Sequence, residues 1–284
     1  MTTVADALRT AAERLSATSD TARLDAELLM AHALGVTRSE LLLRHQRDSA
    51  PAAFDDLVTR RLRHEPIAYL TGEQEFFGRI FDVEPGILIP RADSETVVAA
   101  ALEACPAPQR VLDCGTGSGA LLLTILAECP GACGIGIDAS PTAVEVAGEN
   151  AIALDIEGDW AFHLRDWNKA GWAGGLGSFD LVIANPPYVE TGAELAPSVR
   201  DHEPPEALFS GPEGLDDYRA LIPQLADLLT PEGIIVLEIG YRQADSVAAM
   251  AAENGYESTL RHDLAGRPRA LILRKGLGKG RITG

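Results

Sequence analysis

From Arg110 onward the chain alternates short aliphatic runs with helical stretches, and few folds tolerate that order. Val111-Leu112-Asp113, Cys133–Ile137, Trp160–Leu164, Phe179–Ala184 and Gly233–Ile239 read as strands. Ala120–Glu128, Pro141–Leu154, Asp216–Leu229 and Gln243–Asn254 read as the helices between and after them, with Ser140 as a cap and Pro141 at the first helical position. Strand–helix alternation predicts an α/β fold: a doubly wound, mostly parallel sheet with helices on both faces. Tyr256–Arg261 and Ala270–Arg274, joined through Gly266-Arg267-Pro268, predict a closing antiparallel pair. The Gly-rich tail from Lys275 to Gly284 reads as frayed.

Two strand ends in this region carry unusual chemistry. After the first comes Asp113-Cys114-Gly115-Thr116-Gly117-Ser118-Gly119. Alternate glycines allow a sharp turn and let a ligand approach the backbone, and the helix behind them offers free N–H groups. The spacing is G-x-G-x-G rather than the G-x-G-x-x-G of dinucleotide sites. Asp138 ends the next strand, where a carboxylate can accept hydrogen bonds from ribose hydroxyls. Gly115, Thr116, Gly117, Ser118, Gly119 and Asp138 therefore point to an adenosine-containing cofactor. The loop spacing favours S-adenosylmethionine over a nicotinamide.

The fourth strand, Phe179–Ala184, runs into Asn185-Pro186-Pro187-Tyr188. Two prolines cannot continue a central strand, because neither offers an N–H to the ladder. The chain leaves the sheet at Asn185, presenting an amide, freed carbonyls and a ring. The carbonyls of Asn185 and Pro186 suit the two hydrogens of a planar NH2 group, and Tyr188 is placed to stack on or wall off that group. An amide nitrogen is a weak nucleophile, so orientation by two acceptors is the expected means of aiming it at a methyl donor.

Residues 1–72 read as a separate helical domain. Val4, Leu8, Ala11, Ala12 and Leu15 recur at helical spacing; Asp20 is placed to cap a second helix and Gly35 to end it. Ser39–His45 reads as a third helix, and a fourth starts at Pro51. Its basic stretch Arg60-Arg61-Leu62-Arg63 reads as a solvated face or a contact for an acidic surface. Residues 73–90 read as a β-hairpin linker turning at Pro85-Gly86, and 91–284 as the catalytic domain. Asp93 or Ser94 is placed to cap the helix Thr96–Ala104.

Residues 1–72 hold 9 basic and 10 acidic side chains, leaving 15 basic against 32 acidic in the remainder of a chain of net charge -18. That acidity disfavours a stable nucleic-acid complex, which needs Lys and Arg along a backbone of phosphates. The 4 cysteines and 6 histidines show no zinc spacing, so no metal is expected. Without a signal-type or membrane-length apolar stretch, the expected location is cytoplasmic, with no membrane partner.

These residues resemble the HemK-type peptide chain release factor glutamine methyltransferases over nearly the whole length. Arg23-Leu24-Asp25-Ala26-Glu27-Leu28-Leu29 matches the family's N-terminal domain, and Glu65–Gly72 with Ile89-Pro90-Arg91 matches its interdomain segment. Glu203-Pro204, Ala207-Leu208, Gly211, Gly214-Leu215 and Leu237-Glu238-Ile239-Gly240 continue the likeness. The resemblance implies a Rossmann-like methyltransferase sheet with a small N-terminal all-α domain that docks the substrate. It implies S-adenosylmethionine at Gly115–Gly119 and Asp138, Trp167 beside the adenine, and Asn185 also close to the cofactor. It implies the glutamine of a release-factor Gly-Gly-Gln loop at Asn185, Pro186, Pro187 and Tyr188. Arg91 is placed to close over the cofactor or to pair with a carboxylate such as Glu95. Ser94 stands where the family usually has Thr, which keeps the hydroxyl. Cys114 replaces a more usual aliphatic residue, and Asp201–Pro205 is more polar and proline-rich than usual.

Three other readings compete. An amino methyltransferase acting on adenine or guanine would use the same Asn-Pro-Pro-Tyr logic on a flipped base, but no target-recognition domain is evident. A silent adenosine-binding scaffold would not need an intact Asn185. A nicotinamide oxidoreductase is disfavoured by the loop spacing.

Overall fold

A computed structural model describes residues 2–276. In chain order the elements are α1 (Val4–Leu15), α2 (Ala22–Leu34), α3 (Arg38–Arg44), α4 (Ala53–Arg61), α5 (Ile67–Thr71), β1 (Glu73–Phe76), β2 (Arg79–Asp82), α6 (Glu95–Ala104), β3 (Arg110–Cys114), α7 (Ala120–Glu128), β4 (Cys133–Asp138), α8 (Pro141–Ala153), β5 (Trp160–Leu164), β6 (Phe179–Ala184), α9 (Pro197–Arg200), α10 (Asp216–Leu221), β7 (Leu229–Glu238), α11 (Ala244–Glu253), β8 (Tyr256–His262) and β9 (Pro268–Lys275). The chain divides into two compact units: residues 1–73 with 83–85 and 195–203, and the remainder. The frayed tail expected from Lys275 lies, for 277–284, outside the described residues.

The first unit is helical. Val4, Leu8, Ala11 and Leu15 are buried along one face of α1, and Thr3 caps it by accepting from the Asp6 N–H. Thr37 and Glu40 form a capping box at the start of α3. Helix α2 departs from expectation: Asp20 is exposed and Thr21 is the residue before its first turn. The hydroxyls of Ser19 and Thr21 instead donate to the buried Asp25 carboxylate, at 2.8 and 2.9 Å. Arg61 completes that group with a 2.8 Å bond to Asp25, and Arg60 pairs with Glu65. Two of the three arginines in the basic stretch are thus tied inside their own unit, because a buried carboxylate needs a cationic partner.

The second unit is built on a seven-stranded sheet of order β5-β4-β3-β6-β7-β9-β8. Strands β3 to β7 pair in parallel, and β9 is antiparallel to both β7 and β8. Alternate side chains feed two cores. Leu112, Val182, Ile235 and Leu273 face one layer with Tyr218, Leu221 and Val247. Val111, Ile183, Val236 and Ile272 face the other with Val97, Leu122 and Ile125. This is the doubly wound, mostly parallel sheet that the alternation of strands and helices predicts, antiparallel closing pair included.

Two local expectations fail for backbone reasons. The hairpin β1–β2 turns at Phe77-Gly78, where both residues have positive φ (51° and 75°), and not at Pro85-Gly86. Ile87–Ile89 consequently forms no strand. The long helix expected over Asp216–Leu229 is an α-helix only to Leu221 and a tighter 3-10 helix over Ile222–Leu228. Pro223 lacks the N–H that the α ladder would use there. Strand β7 then begins at Leu229, earlier than Gly233. Among the described residues no helix is long and apolar enough to cross a membrane.

Candidate active site

In the sheet order, β3 has β4 on one side and β6 on the other, so the chain reverses direction of build at β3. Ligands of doubly wound sheets bind beyond the carboxyl ends of the strands at such a point. A cavity of about 530 Å³ lies there, within the range of small-molecule sites.

Its floor is the glycine loop after β3. Gly115, Gly117 and Gly119 all have positive φ (79°, 55° and 83°), a conformation costly for residues with a Cβ. The N–H groups of Gly115 and Thr116 both donate to the Ile137 carbonyl at 2.9 Å, tying the loop to the end of β4. Gly115, Thr116, Gly117 and Ser118 line the cavity. Gly119 lies behind them at the start of α7, where an added Cβ would meet Leu123 at 2.9 Å. A Cβ at Gly115 would stand 3.2 Å from the Trp167 ring, so loop backbone and indole lie almost in contact.

Asp138 reaches the cavity from β4. Its Oδ2 accepts from the Gly117 N–H and its Oδ1 from the Ser140 N–H, each at 2.9 Å. Burial raises its pKa, and those backbone N–H groups oppose the rise. Each oxygen keeps a further lone pair for a ligand hydroxyl. Beneath the loop, Asp113 is wholly buried and accepts from the Thr116 hydroxyl at 2.8 Å. Desolvation pushes its carboxyl up to about 7.

Trp167 forms another wall. Its Nε1 donates to Asp217 Oδ1 at 3.0 Å, while the Ser210 hydroxyl donates to Asp217 Oδ2 at 2.7 Å. Of the tetrad after β6, Asn185 and Pro187 line the cavity, Pro186 is buried, and Tyr188 turns away. The Tyr188 hydroxyl donates to Glu238 Oε1 at 3.1 Å, and its ring packs against the core. Phe76 and Trp167 are the aromatic residues in the cavity lining. Arg91 is not among the lining residues, and Glu95 accepts from the Phe77 N–H at 3.0 Å.

Ser94, Asp217, Phe76 and Ala207 also line the cavity without having been expected there. Pro204 and Ala207 belong to the resemblance, but nothing local marks their role. Asp217 shows only as an acidic residue in the first turn of α10. Ser94 is not the capping side chain that its position before α6 suggests; its hydroxyl makes no cap bond. Among the described residues no cluster of three or more His, Cys, Asp or Glu is placed to hold a metal.

The description "PrmC N-terminal domain" matches residues 6–72, and "Methyltransferase domain" matches residues 107–274. A release factor glutamine methyltransferase from Caulobacter vibrioides is 41% identical, with 81% of each chain covered. One from Bradyrhizobium diazoefficiens is 39% identical over 96% of this chain and 95% of its own. A solved methyltransferase from Pyrococcus furiosus matches with TM-score 0.51 at 17% identity, covering 77% of this chain and 99% of its own, a likeness of fold alone. With such identity sustained across both the helical and the sheet-bearing regions, the chain belongs to the release factor glutamine methyltransferase family.

Proposed function

We propose that the cavity binds S-adenosylmethionine and a glutamine side chain of a peptide chain release factor, and that the enzyme methylates the amide nitrogen of the Gly-Gly-Gln glutamine. The observation that carries this reading is the meeting of the glycine loop, Asp138 and Asn185 around one cavity.

The residues present fit the cofactor. Gly115 and Gly117 present backbone to the cavity, with a Cβ at Gly115 crowding the Trp167 ring; Asp138 offers acceptor capacity for ribose hydroxyls, and the fixed indole of Trp167 offers a flat face for adenine. When bound, the cofactor supplies a methyl group on a cationic sulfonium. The chain's own work is to hold the acceptor. Asn185 Oδ1 and the Pro186 carbonyl accept the two amide hydrogens, which fixes the nitrogen and increases its electron density. The amide proton is shed to an acceptor after the nitrogen is alkylated, so no strong base is required. Residues 1–72 dock the release factor, with 73–90 as linker and 91–284 carrying the chemistry.

The test supplies labelled S-adenosylmethionine together with a release factor, its Gly-Gly-Gln glutamine variant, tRNA, rRNA or duplex DNA. Label is expected in the intact release factor alone. Label in nucleic acid and none in release factor would overturn the reading in favour of a base amino methyltransferase.

A further inference from the structure

Strand pairing does not secure the tetrad after β6. The parallel ladders on both sides of β6 end at Ala184, paired with Cys114 and with Leu237. Pro186 and Pro187 have no N–H to donate, and beyond them the Val189 N–H donates to the Leu208 carbonyl at 2.8 Å. The two proline residues between these points can be fixed only through carbonyls or through the residues next to them.

Gln243 supplies such a hold. It stands directly before α11, where its side chain makes no capping bond. Its Nε2 instead donates to the Tyr188 carbonyl at 2.9 Å and to the Gly214 carbonyl at 3.0 Å, and its Oε1 accepts from the Gly240 N–H at 3.0 Å. A backbone N–H only donates and a backbone carbonyl only accepts, so these three partners fix which end of the amide is oxygen and which is nitrogen. Gly240 leaves room for the arrangement: an added Cβ would stand 2.7 Å from Gln243 Oε1 and 3.4 Å from Tyr188 Cδ2. At Gly214 an added Cβ would stand 2.8 Å from Gln243 Nε2. The Tyr188 hydroxyl reaches the same segment through its bond to Glu238. Tyr188 is therefore gripped at its carbonyl and at its ring tip by the stretch from Glu238 to Gln243.

We propose that Gln243 is a positioning residue for methyl transfer, whose amide sets the place of the Tyr188 peptide and, through it, of the Asn185 and Pro186 acceptors. The inference rests on the tetrad holding the acceptor amide. Each proline ring fixes its own φ, so movement at Tyr188 passes back toward Asn185 instead of being absorbed between them. A misplacement of about 1 Å at the reacting groups costs on the order of a hundredfold in rate. Gln243 is not among the residues lining the cavity, so it acts through the tetrad and not on the ligands.

The experiment measures kcat and KM for release-factor methylation, the affinity and stoichiometry of S-adenosylhomocysteine binding, and the melting temperature. The variants are Gln243→Met, Gln243→Glu, Asn185→Ala and the double variant Asn185→Ala/Gln243→Met, with rates taken well below each melting midpoint. Methionine keeps the length without the polar end; glutamate keeps the shape and the bond to Gly240 but turns an acceptor toward two carbonyls. Both Gln243 variants should lower kcat at least about tenfold, glutamate the more, with KM, product affinity and binding stoichiometry within about threefold of wild type. The loss in the double variant should fall short of the product of the two separate losses, since Gln243 acts through the tetrad. An unchanged kcat in Gln243→Met overturns the inference. So does a kcat loss matched by an equal loss of binding stoichiometry, which would report unfolded protein, and so do fully multiplied losses in the double variant. If Asn185→Ala keeps kcat, the assignment of the tetrad has failed; if Asn185→Ala is slow while Gln243→Met keeps wild-type kcat, only the positioning role has failed. Should Gln243→Glu not fold, Gln243→Met decides alone.

Discussion

Trp167 Nε1 donates to Asp217 Oδ1 at 3.0 Å, joining the loop after β5 to the first turn of α10 across 50 residues of sequence. The carboxylate is held by Ser210 on its other oxygen. The indole plane at the cavity wall is therefore fixed before any ligand arrives. Trp167→Ala should weaken S-adenosylhomocysteine binding by roughly 10- to 100-fold, the worth of a stacked aromatic wall of 1.5–3 kcal/mol. Asp217→Ala should cost about 3- to 10-fold, since the ring remains but loses its anchor. Isothermal titration calorimetry checks both, and equal losses in the two variants would contradict the distinction.

Asn185 has Nδ2 directed at Ser94 and lies in the cavity wall. Asn185→Ala should lower kcat by about 10²- to 10³-fold, the usual loss when one preorganised polar contact to the reacting group is removed. Affinity for S-adenosylhomocysteine should change by less than about threefold. Single-turnover methylation of release factor, beside calorimetry, separates the two effects; lost binding with an unchanged saturated rate would move Asn185 from the acceptor to the cofactor.

Asp113 sets a pH dependence. Its carboxyl is pushed up to about 7 by burial, from 3.8 in the unfolded chain. Because the folded state holds the proton more tightly, stability is lost as pH rises from the unfolded value through the folded one. Between pH 5 and 8 the ligand-free protein should lose about 2–3 kcal/mol from this group. Asp113→Asn, which still accepts from Thr116, should flatten that slope. Urea denaturation at pH 5, 6.5 and 8 measures it, and an unaltered slope in the variant would assign the effect elsewhere.

Gly214 has φ +68°, and an added Cβ would stand 2.3 Å from the Tyr188 carbonyl oxygen. Backbone on backbone leaves no flexible group to yield. Gly214→Ala should destabilise by at least about 2 kcal/mol. It should also lower methyl transfer beyond what lost stability explains, because the tetrad must move. Thermal melts and activity at 20 °C below the variant's midpoint would show both; an alanine variant as active and stable as wild type would mean the loop accommodates the methyl group freely.

Much of this arrangement is local in origin and therefore visible in the sequence. Alternating strands and helices dictate a parallel sheet, since each crossover must lay a helix on a face. Strand ends at Asp113, Asp138 and Asn185 follow from glycine and proline interrupting apolar runs, and all three strands deliver their ends to the same side. Shape-breaking at unusual positions escapes such reading. Phe77 at φ 51° makes the hairpin turn, and a phenylalanine carries none of the usual turn signals.

The amino-acid order by itself thus determined the sheet, the glycine loop and the tetrad, because periodicity and backbone restriction act over a few residues. Only the tertiary structure decided that Ser94 stands beside Asn185, 91 residues away, and that Tyr188 turns from the cavity to Glu238, 50 residues on. A buried carboxylate must be satisfied by whichever donors the packed sheet brings to it, and sequence spacing holds no record of that choice.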